Sequence, residues 1–239
     1  MNVQVIQEHH HILARFGKPC RVLSSAVLNG GLTEACQLLN MKVSQNHHGR
    51  KENFETPELT LQHHADDLKL TGPTIGMMTS ASMRSYRSAV LCWDDIFVQT
   101  IVTSGVANAK RVGEPAEWRR LDAPRPAVGT INLVCMTNLA LTIPAMVEAV
   151  MMVTEAKAAV LQDLAVPSAA TGAIATGTGT DAVAVVSDPD GRPACYCGKH
   201  VLLGEKLART VSASLKASIK AWSPPRGNTV SGVASYESA

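Results

Sequence analysis

The stretch Ser88-Ala89-Val90-Leu91-Cys92-Trp93-Asp94-Asp95-Ile96-Phe97-Val98-Gln99-Thr100-Ile101-Val102 decides the fold class. β-Branched and aromatic residues fill both halves, and two aspartates separate them, which predicts a hairpin over residues 88–93 and 97–102. A hairpin pairs its strands antiparallel, whereas a doubly wound sheet needs a crossover between parallel strands. Upstream, residues 3–6 and 11–16 read as strand, Gly17-Lys18-Pro19 as a turn, and residues 21–28 as the returning strand, ended by Asn29-Gly30-Gly31. The polar residues 44–56 read as a loop. Pro57 opens a helix reaching about residue 68, where Thr71-Gly72-Pro73 stops it. Residues 76–81 fit a strand or a short helix, and residues 104–113 a loop or a short helix. Downstream, residues 130–136 form an apolar strand. Thr142 or its neighbour caps a helix with Pro144 in its first turn, running to about residue 164. Residues 181–186 read as a strand bounded by Asp188-Pro189-Asp190-Gly191, and residues 204–222 as the last helix. Strands in runs, with the long helices late, predict an α+β fold: one layered domain whose mixed or antiparallel β-sheet packs against helices. That domain would span residues 1–222, and the Ser-, Gly- and Pro-rich residues 223–239 would be a disordered tail.

Composition narrows the function classes. Of 239 residues, 46% are apolar and 18% charged; soluble domains usually carry about 25% charged residues. Much of the chain is therefore expected to be buried, in its own core or against a second copy in a homodimer. The 22 basic and 20 acidic residues nearly cancel, and aromatics are 4%, which argues against nucleic acid as a partner. The N-terminal residues show no basic start and no long apolar stretch, so no secretory signal is expected. The longest uncharged run lies between Arg125 and Glu148 and contains Gly129, Asn132, Asn138 and two prolines. Such amides are costly in a bilayer, so the expectation is no membrane association and a cytoplasmic location. Six cysteines form no CxxC pair and read as reduced thiols rather than metal ligands. The adjacent pairs His9-His10, His47-His48 and His63-His64 invite a metal reading. Sequence neighbours rarely face the same way, so these read as surface or strand histidines, and no metal is expected.

Two segments carry possible chemistry. The helix around residues 144–164 is apolar on most sides, as buried helices are, yet it carries Glu155 and Lys157. Two residues apart is ~200° of helical rotation, so each needs its own partner. They could form two structural ion pairs or a solvated edge, or one could point into a polar site. The second segment is Ala175-Thr176-Gly177-Thr178-Gly179-Thr180-Asp181-Ala182. If it were extended, its three threonine hydroxyls would lie on one side, and its glycines would let backbone approach a ligand. It could bind phosphate, anchor a carboxamide-rich ligand, form an oxyanion hole or simply be a tight connection. It lacks the Gly-Lys-Ser/Thr and following helix of a phosphate loop.

Several segments in order add specificity: Leu28-Asn29-Gly30-Gly31, Gly76-Met77-Met78-Thr79, Thr103-Ser104-Gly105-Val106-Ala107-Asn108-Ala109, Gly129-Thr130-Ile131-Asn132, Thr154-Glu155-Ala156-Lys157, the Gly/Thr segment, Gly198-Lys199-His200 and Leu203-Gly204-Glu205. Together they resemble the adenosylcobinamide amidohydrolase family of bacterial and archaeal corrinoid salvage, over about residues 23–219. Residues 45–55 and Cys195-Tyr196-Cys197 depart from the family's motifs. The resemblance implies hydrolysis of the amide joining the corrin ring's propionyl group to aminopropanol, giving adenosylcobyric acid and 1-amino-2-propanol. It also implies possible use of adenosylated pseudocobalamin, an adenosylated corrinoid as the molecule bound, and no cofactor, since cobalt enters only with the substrate.

The candidate residues lie in the matched motifs. Asp181 or Glu155 could be the general base, and His200 could pass a proton to the leaving amine. Lys157, Asn132, Asn108 and the backbone N–H groups around Gly177 and Gly179 could hold the oxyanion. Thr176, Thr178 or Thr180 could instead be a covalent nucleophile; direct attack by water is the preferred reading. Glu205 completes the substrate-binding set. Each has a structural alternative: Asp181 could brace the Gly-Thr turn, Asn132 could cap a strand, and His200 could begin the last helix at the surface. Competing readings for the whole chain are a non-catalytic corrinoid-binding or carrier protein, a metal-dependent hydrolase using the histidine pairs, and a nucleotide-binding protein using the Gly/Thr segment, against which the missing Gly-Lys-Ser/Thr argues.

Overall fold

A computed structural model describes residues 1–43, 55–116 and 129–221. Its first strands are β1 (Gln4–Gln7), β2 (His11–Ser24) and β3 (Gly31–Lys42), followed by helix α1 (Pro57–Asp67) and β4 (Thr74–Thr79). The expected hairpin follows as β5 (Arg87–Trp93) and β6 (Ile96–Ser104), turning at Asp94, whose φ is +48°. Next come the short β7 (Ala109–Lys110), β8 (Ile131–Leu141) and α2 (Ile143–Asp163). The short β9 (Gly177–Thr178), β10 (Ala182–Ala194) and α3 (Leu202–Ala221) complete the described chain. Among the described residues one eight-stranded sheet runs in the order β4-β3-β2-β10-β8-β6-β5, with β1 beside the first half of β2. β3/β4 and β8/β10 pair parallel and the other neighbours antiparallel. The fold is thus a single α+β domain with a mixed sheet.

Side-chain alternation separates two cores. Along β8, Ile131, Leu133 and Cys135 join the apolar faces of α2 and α3. Val134 and Met136 point the other way, to Ile12, Phe16, Leu38, Ile75, Met77 and Ala184. No α-helix contributes a buried residue to this second cluster. The sheet covers that face with itself, because it curls: Asn132 of β8 hydrogen-bonds Asn40 of β3 and the Met78 carbonyl of β4, although β2 and β10 lie between β3 and β8 in the pairing order. On the outer side α1 packs Leu61 and Ala65 against Leu13, Leu39 and Met41.

Helix ends follow local chemistry. Thr56 caps α1 and Thr142 caps α2, each accepting an N–H from three residues on, with proline in the first turn. Of residues 76–81, left open between strand and helix, the first four belong to strand β4, which ends at Thr79.

Two expected chain reversals do not occur. Gly17-Lys18-Pro19 sits inside the continuous β2, where a five-residue step from Arg15 to Cys20 opposes a two-residue step from Gln37 to Ala35. Asp188-Pro189-Asp190-Gly191 likewise sits inside β10, between Ser187 and Arg192. Turn-forming residues also suit bulges, which bend a strand without changing its partner. The two bulges lie on neighbouring strands, and Lys18 ties them, its Nζ 2.6 Å from Asp188 and 2.9 Å from Asp190. Burial pushes the Asp188 carboxyl up in pKa, but hydrogen bonds from Lys18, the Met1 amino group and the Asp190 N–H outweigh it and leave it at about 2. The strand that actually returns beside β2 is β3. The expected tail at residues 223–239 lies outside the described residues, as does most of the loop expected at residues 44–56.

Candidate active site

Lys157 is carried on the buried side of α2, 8% exposed. Its ammonium lies 2.6 Å from Asp181 Oδ2. Asp181 stands just before β10, at the end where β8 also begins. Its carboxylate is filled on every side. Oδ1 accepts the Ile131 N–H at 2.9 Å and the Thr178 hydroxyl; Oδ2 accepts the Thr178 N–H at 3.0 Å as well as Lys157. A carboxylate has about four lone-pair sites, so water reaches this one only by displacing a donor. The Thr178 hydroxyl is the donor freest to move, because the others belong to backbone or to a buried ammonium. Gly177 makes the arrangement possible: a Cβ there would stand 2.5 Å from Asp181 Oδ2 and 3.1 Å from Lys157 Nζ.

The three threonines do not share one side, as full extension would require. Only Gly177 and Thr178 are extended; Gly179 and Thr180 form a turn. Thr176 Oγ1 accepts the Val112 N–H at 2.9 Å, Thr178 serves Asp181, and Thr180 Oγ1 meets Thr130 Oγ1 at 2.9 Å. Gly179 is exposed.

Two asparagines flank this centre. Asn132, 1% exposed, has both amide hydrogens engaged, at 2.8 Å by Asn40 Oδ1 and at 2.8 Å by the Met78 carbonyl. It therefore has none left to donate to an oxyanion. Asn108 lies against Gly129, where an added Cβ would stand 2.3 Å from its Oδ1. The side-chain carbonyl oxygens of both asparagines are buried and, among the described residues, have no hydrogen-bond partner.

The remaining expected residues lie apart. Glu155 pairs with Lys199, and Glu205 with Arg209 at 3.0 Å. All four line a cleft of about 490 Å³ between α2 and α3, over Met152, Ala156 and Ala159. His200 is exposed, with its ring beside Tyr196 at 5.8 Å. No described contact joins these residues to Lys157 or Asp181. Of the opposed charges on α2, Glu155 meets the solvated edge and Lys157 meets the polar site.

Of the adjacent pairs, His9 and His10 do share one place, His63 turns to Glu55 while His64 turns to His11, and His47-His48 lies outside the described residues. His9, His10, His11 and His64 line a cleft of about 500 Å³ beside α1. His11 and His64 touch at 3.3 Å, and burial, then the neighbouring His64, holds the His11 pKa below its ordinary value. Among the described residues no three His, Cys, Asp or Glu side chains are grouped to hold a metal ion. All six cysteines are free, and no described helix is long and apolar enough to cross a membrane.

Sequence reasoning missed Asn40, whose place amid Leu38-Leu39 and Met41 was its only local signal. It also missed the Ile131 N–H and Thr130 as partners of the Gly/Thr turn.

Fold and centre together define a class: an α+β protein with a buried lysine–carboxylate–hydroxyl cluster at one end of a curled sheet. The family model described as adenosylcobinamide amidohydrolase matches residues 1–226. The chain belongs to that family. Among its relatives, an uncharacterized Methanocaldococcus jannaschii protein, MJ1613, is 34% identical over 58% of this chain and 60% of its own length. An adenosylcobinamide amidohydrolase of Halobacterium salinarum is 33% identical over 51% of this chain and 50% of its own length. The Methanosarcina mazei protein of the same name is 25% identical over 82% of this chain and 88% of its own length. The alignments thus span only half to three-fifths of the first two relatives. A solved structure, that of the PH0078 protein from Pyrococcus horikoshii OT3, covers 91% of this chain and 78% of that one at TM-score 0.39 and 10% identity.

Proposed function

We propose that this protein hydrolyses the amide between the propionyl side chain and aminopropanol of adenosylcobinamide, releasing adenosylcobyric acid and 1-amino-2-propanol. The observation that carries this reading is the Lys157–Asp181–Thr178 cluster, in a chain whose family is described as adenosylcobinamide amidohydrolase. A hydroxyl bonded to a carboxylate, which is itself held by a third group, has the geometry of an activated nucleophile. In this scheme Thr178 Oγ1 attacks the amide carbonyl carbon and its proton passes to Asp181. Lys157 and the backbone N–H groups of the Gly179-Thr180 turn stabilise the oxyanion. Collapse expels the amine with a proton, and water then hydrolyses the threonyl ester. Attack by Thr178 is favoured over direct attack by water, because the four donors on Asp181 leave no lone pair for a water to use. The reaction needs no cofactor of the protein's own; cobalt arrives with the substrate. Glu155, Glu205 and His200, which lie away from the cluster, are given no chemical step.

The test is to incubate the purified protein with adenosylcobinamide and follow both products by chromatography and mass spectrometry. Release of adenosylcobyric acid and aminopropanol in equal amounts is expected. Tight corrinoid binding without either product would replace this reading with a non-catalytic carrier.

A further inference from the structure

We infer that Asn132 and Asn108 are acceptors for amide N–H groups of the bound ligand, and that Asn40 is the positioning residue that holds Asn132 in that role. The inference rests on the amide-hydrolase reading above and adds the polarity of the contact. Asn132 cannot turn its amide over. With its Nδ2 between Asn40 Oδ1 and the Met78 carbonyl, a flip would set its own oxygen against two acceptors. The Met78 carbonyl can only accept, so it fixes Asn132, and Asn132 in turn fixes Asn40, whose Nδ2 donates to Thr103 Oγ1 at 2.9 Å. What remains of Asn132 is a carbonyl oxygen in a side chain 1% exposed, without a donor. Leaving a buried acceptor unpaired carries a desolvation cost. Here an intramolecular hydrogen-bond chain across the curled sheet maintains it.

Asn108 also leaves a buried acceptor unpaired among the described residues. Its Oδ1 stands over Gly129. Both asparagines border the strand ends that carry the centre: Asp181 holds the N–H of Ile131, the residue before Asn132, and Asn132 pairs in register with Ala182, its side chain turned to Asn40 on the inner face of the sheet. Gly129, beneath Asn108, gives its carbonyl to the hydroxyls of Thr178 and Thr180 at 3.3 Å each. Two unpaired acceptors at the end of the sheet that carries the proposed amide-cleaving centre match a ligand that brings N–H donors. These could be the scissile secondary amide or the peripheral primary carboxamides of a corrin.

Asn108→Ala is the informative variant, because the Asn108 side-chain oxygen holds no protein group that its loss would leave unpaired. It is expected to lower kcat/KM for adenosylcobinamide about tenfold while the Tm stays within a degree or two of wild type. Adenosylcobyric acid, which lacks the scissile amide, separates the two sources of N–H. A matching tenfold rise in its Kd assigns the contact to peripheral carboxamides, and an unchanged Kd assigns it to the scissile amide. Asn40→Ala should show a loss of similar size. Asn40→Asp, which still accepts from Asn132 and lets Thr103 donate, should recover most of it, as a purely structural role would not require. If Asn108→Ala and Asn40→Ala both leave kcat/KM and Kd within twofold of wild type, the inference falls while the hydrolase reading stands. A wild-type protein that neither binds nor cleaves these corrinoids removes both.

Discussion

Asp181 links two backbone strands, one hydroxyl and one ammonium, so changes to any of these groups have separable consequences. Lys157→Ala leaves a carboxylate with 9% side-chain exposure and no cation. Asp181→Asn sets amide hydrogens against Lys157 or the Thr178 N–H. Each is expected to lower turnover of adenosylcobinamide at least a hundredfold, a barrier increase of ~2.7 kcal/mol, with far-UV circular dichroism showing a retained fold. Near-normal rates in both variants would take this cluster out of the chemistry. Thr178 discriminates between the two forms of attack. Thr178→Ser should keep most activity and Thr178→Val almost none, and rapid-quench mass spectrometry of the wild type should catch a corrinoid acylated on Thr178. If Thr178→Val turns over within tenfold of wild type, water is the nucleophile.

At the level of elements, the paired bulges of β2 and β10 predict a pH dependence. The Asp188 carboxyl has its pKa brought from 3.8 to about 2 in the folded protein. A depressed carboxyl stabilises the fold at pH above its unfolded value and loses that contribution as pH falls through the folded one. Wild type should therefore exceed Asp188→Asn in stability by roughly 2 kcal/mol above about pH 4, and the gap should close as the pH approaches 2. Urea midpoints measured across pH 2–6 check this, and a gap that persists at pH 2 would assign the effect to packing. The same bulges show why turn chemistry misleads. Gly17-Lys18-Pro19 and Asp188-Pro189-Asp190-Gly191 carry the residues that end strands elsewhere. Only the pairing of Cys20 with Ala35 and Arg192 with Leu139 beyond them shows that each strand continues.

Across the whole molecule, the curl of the sheet depends on polar contacts between strands that are not neighbours. Asn132→Leu strips the donors from Asn40 Oδ1 and the Met78 carbonyl, and each buried acceptor left unpaired costs about 1–3 kcal/mol. A loss of stability of that order, read from a lower urea midpoint, is expected; an unchanged midpoint would mean that the apolar inner core alone sets the curl. The lysine, carboxylate and hydroxyl supply the proton transfer and charge that the proposed reaction needs. Turnover is therefore expected to survive exhaustive chelation, and activity lost to a chelator and restored by a divalent metal would overturn that scheme.

The sequence by itself determined what depends on neighbours in the chain. The β5–β6 hairpin, the Thr142 cap with Pro144 behind it, the apolar strand after Gly129 and the helix carrying Lys157 were all legible, because strand period, capping and turn propensity act over a few residues. The ordered motifs also pointed to the family and to the segment holding Asp181. Tertiary structure decided the rest. Lys157 rather than Glu155 meets Asp181 because the rotation of α2 is set by its packing on β8 and β10. Thr178, rather than Thr176 or Thr180, bonds the carboxylate because the segment turns after Thr178 instead of staying extended. Asn132 offers an oxygen because Asn40, 92 residues away in the chain, and the Met78 carbonyl claim its hydrogens. Side-chain orientation and hydrogen-bond direction are set by contacts between distant segments, and no local pattern carries them.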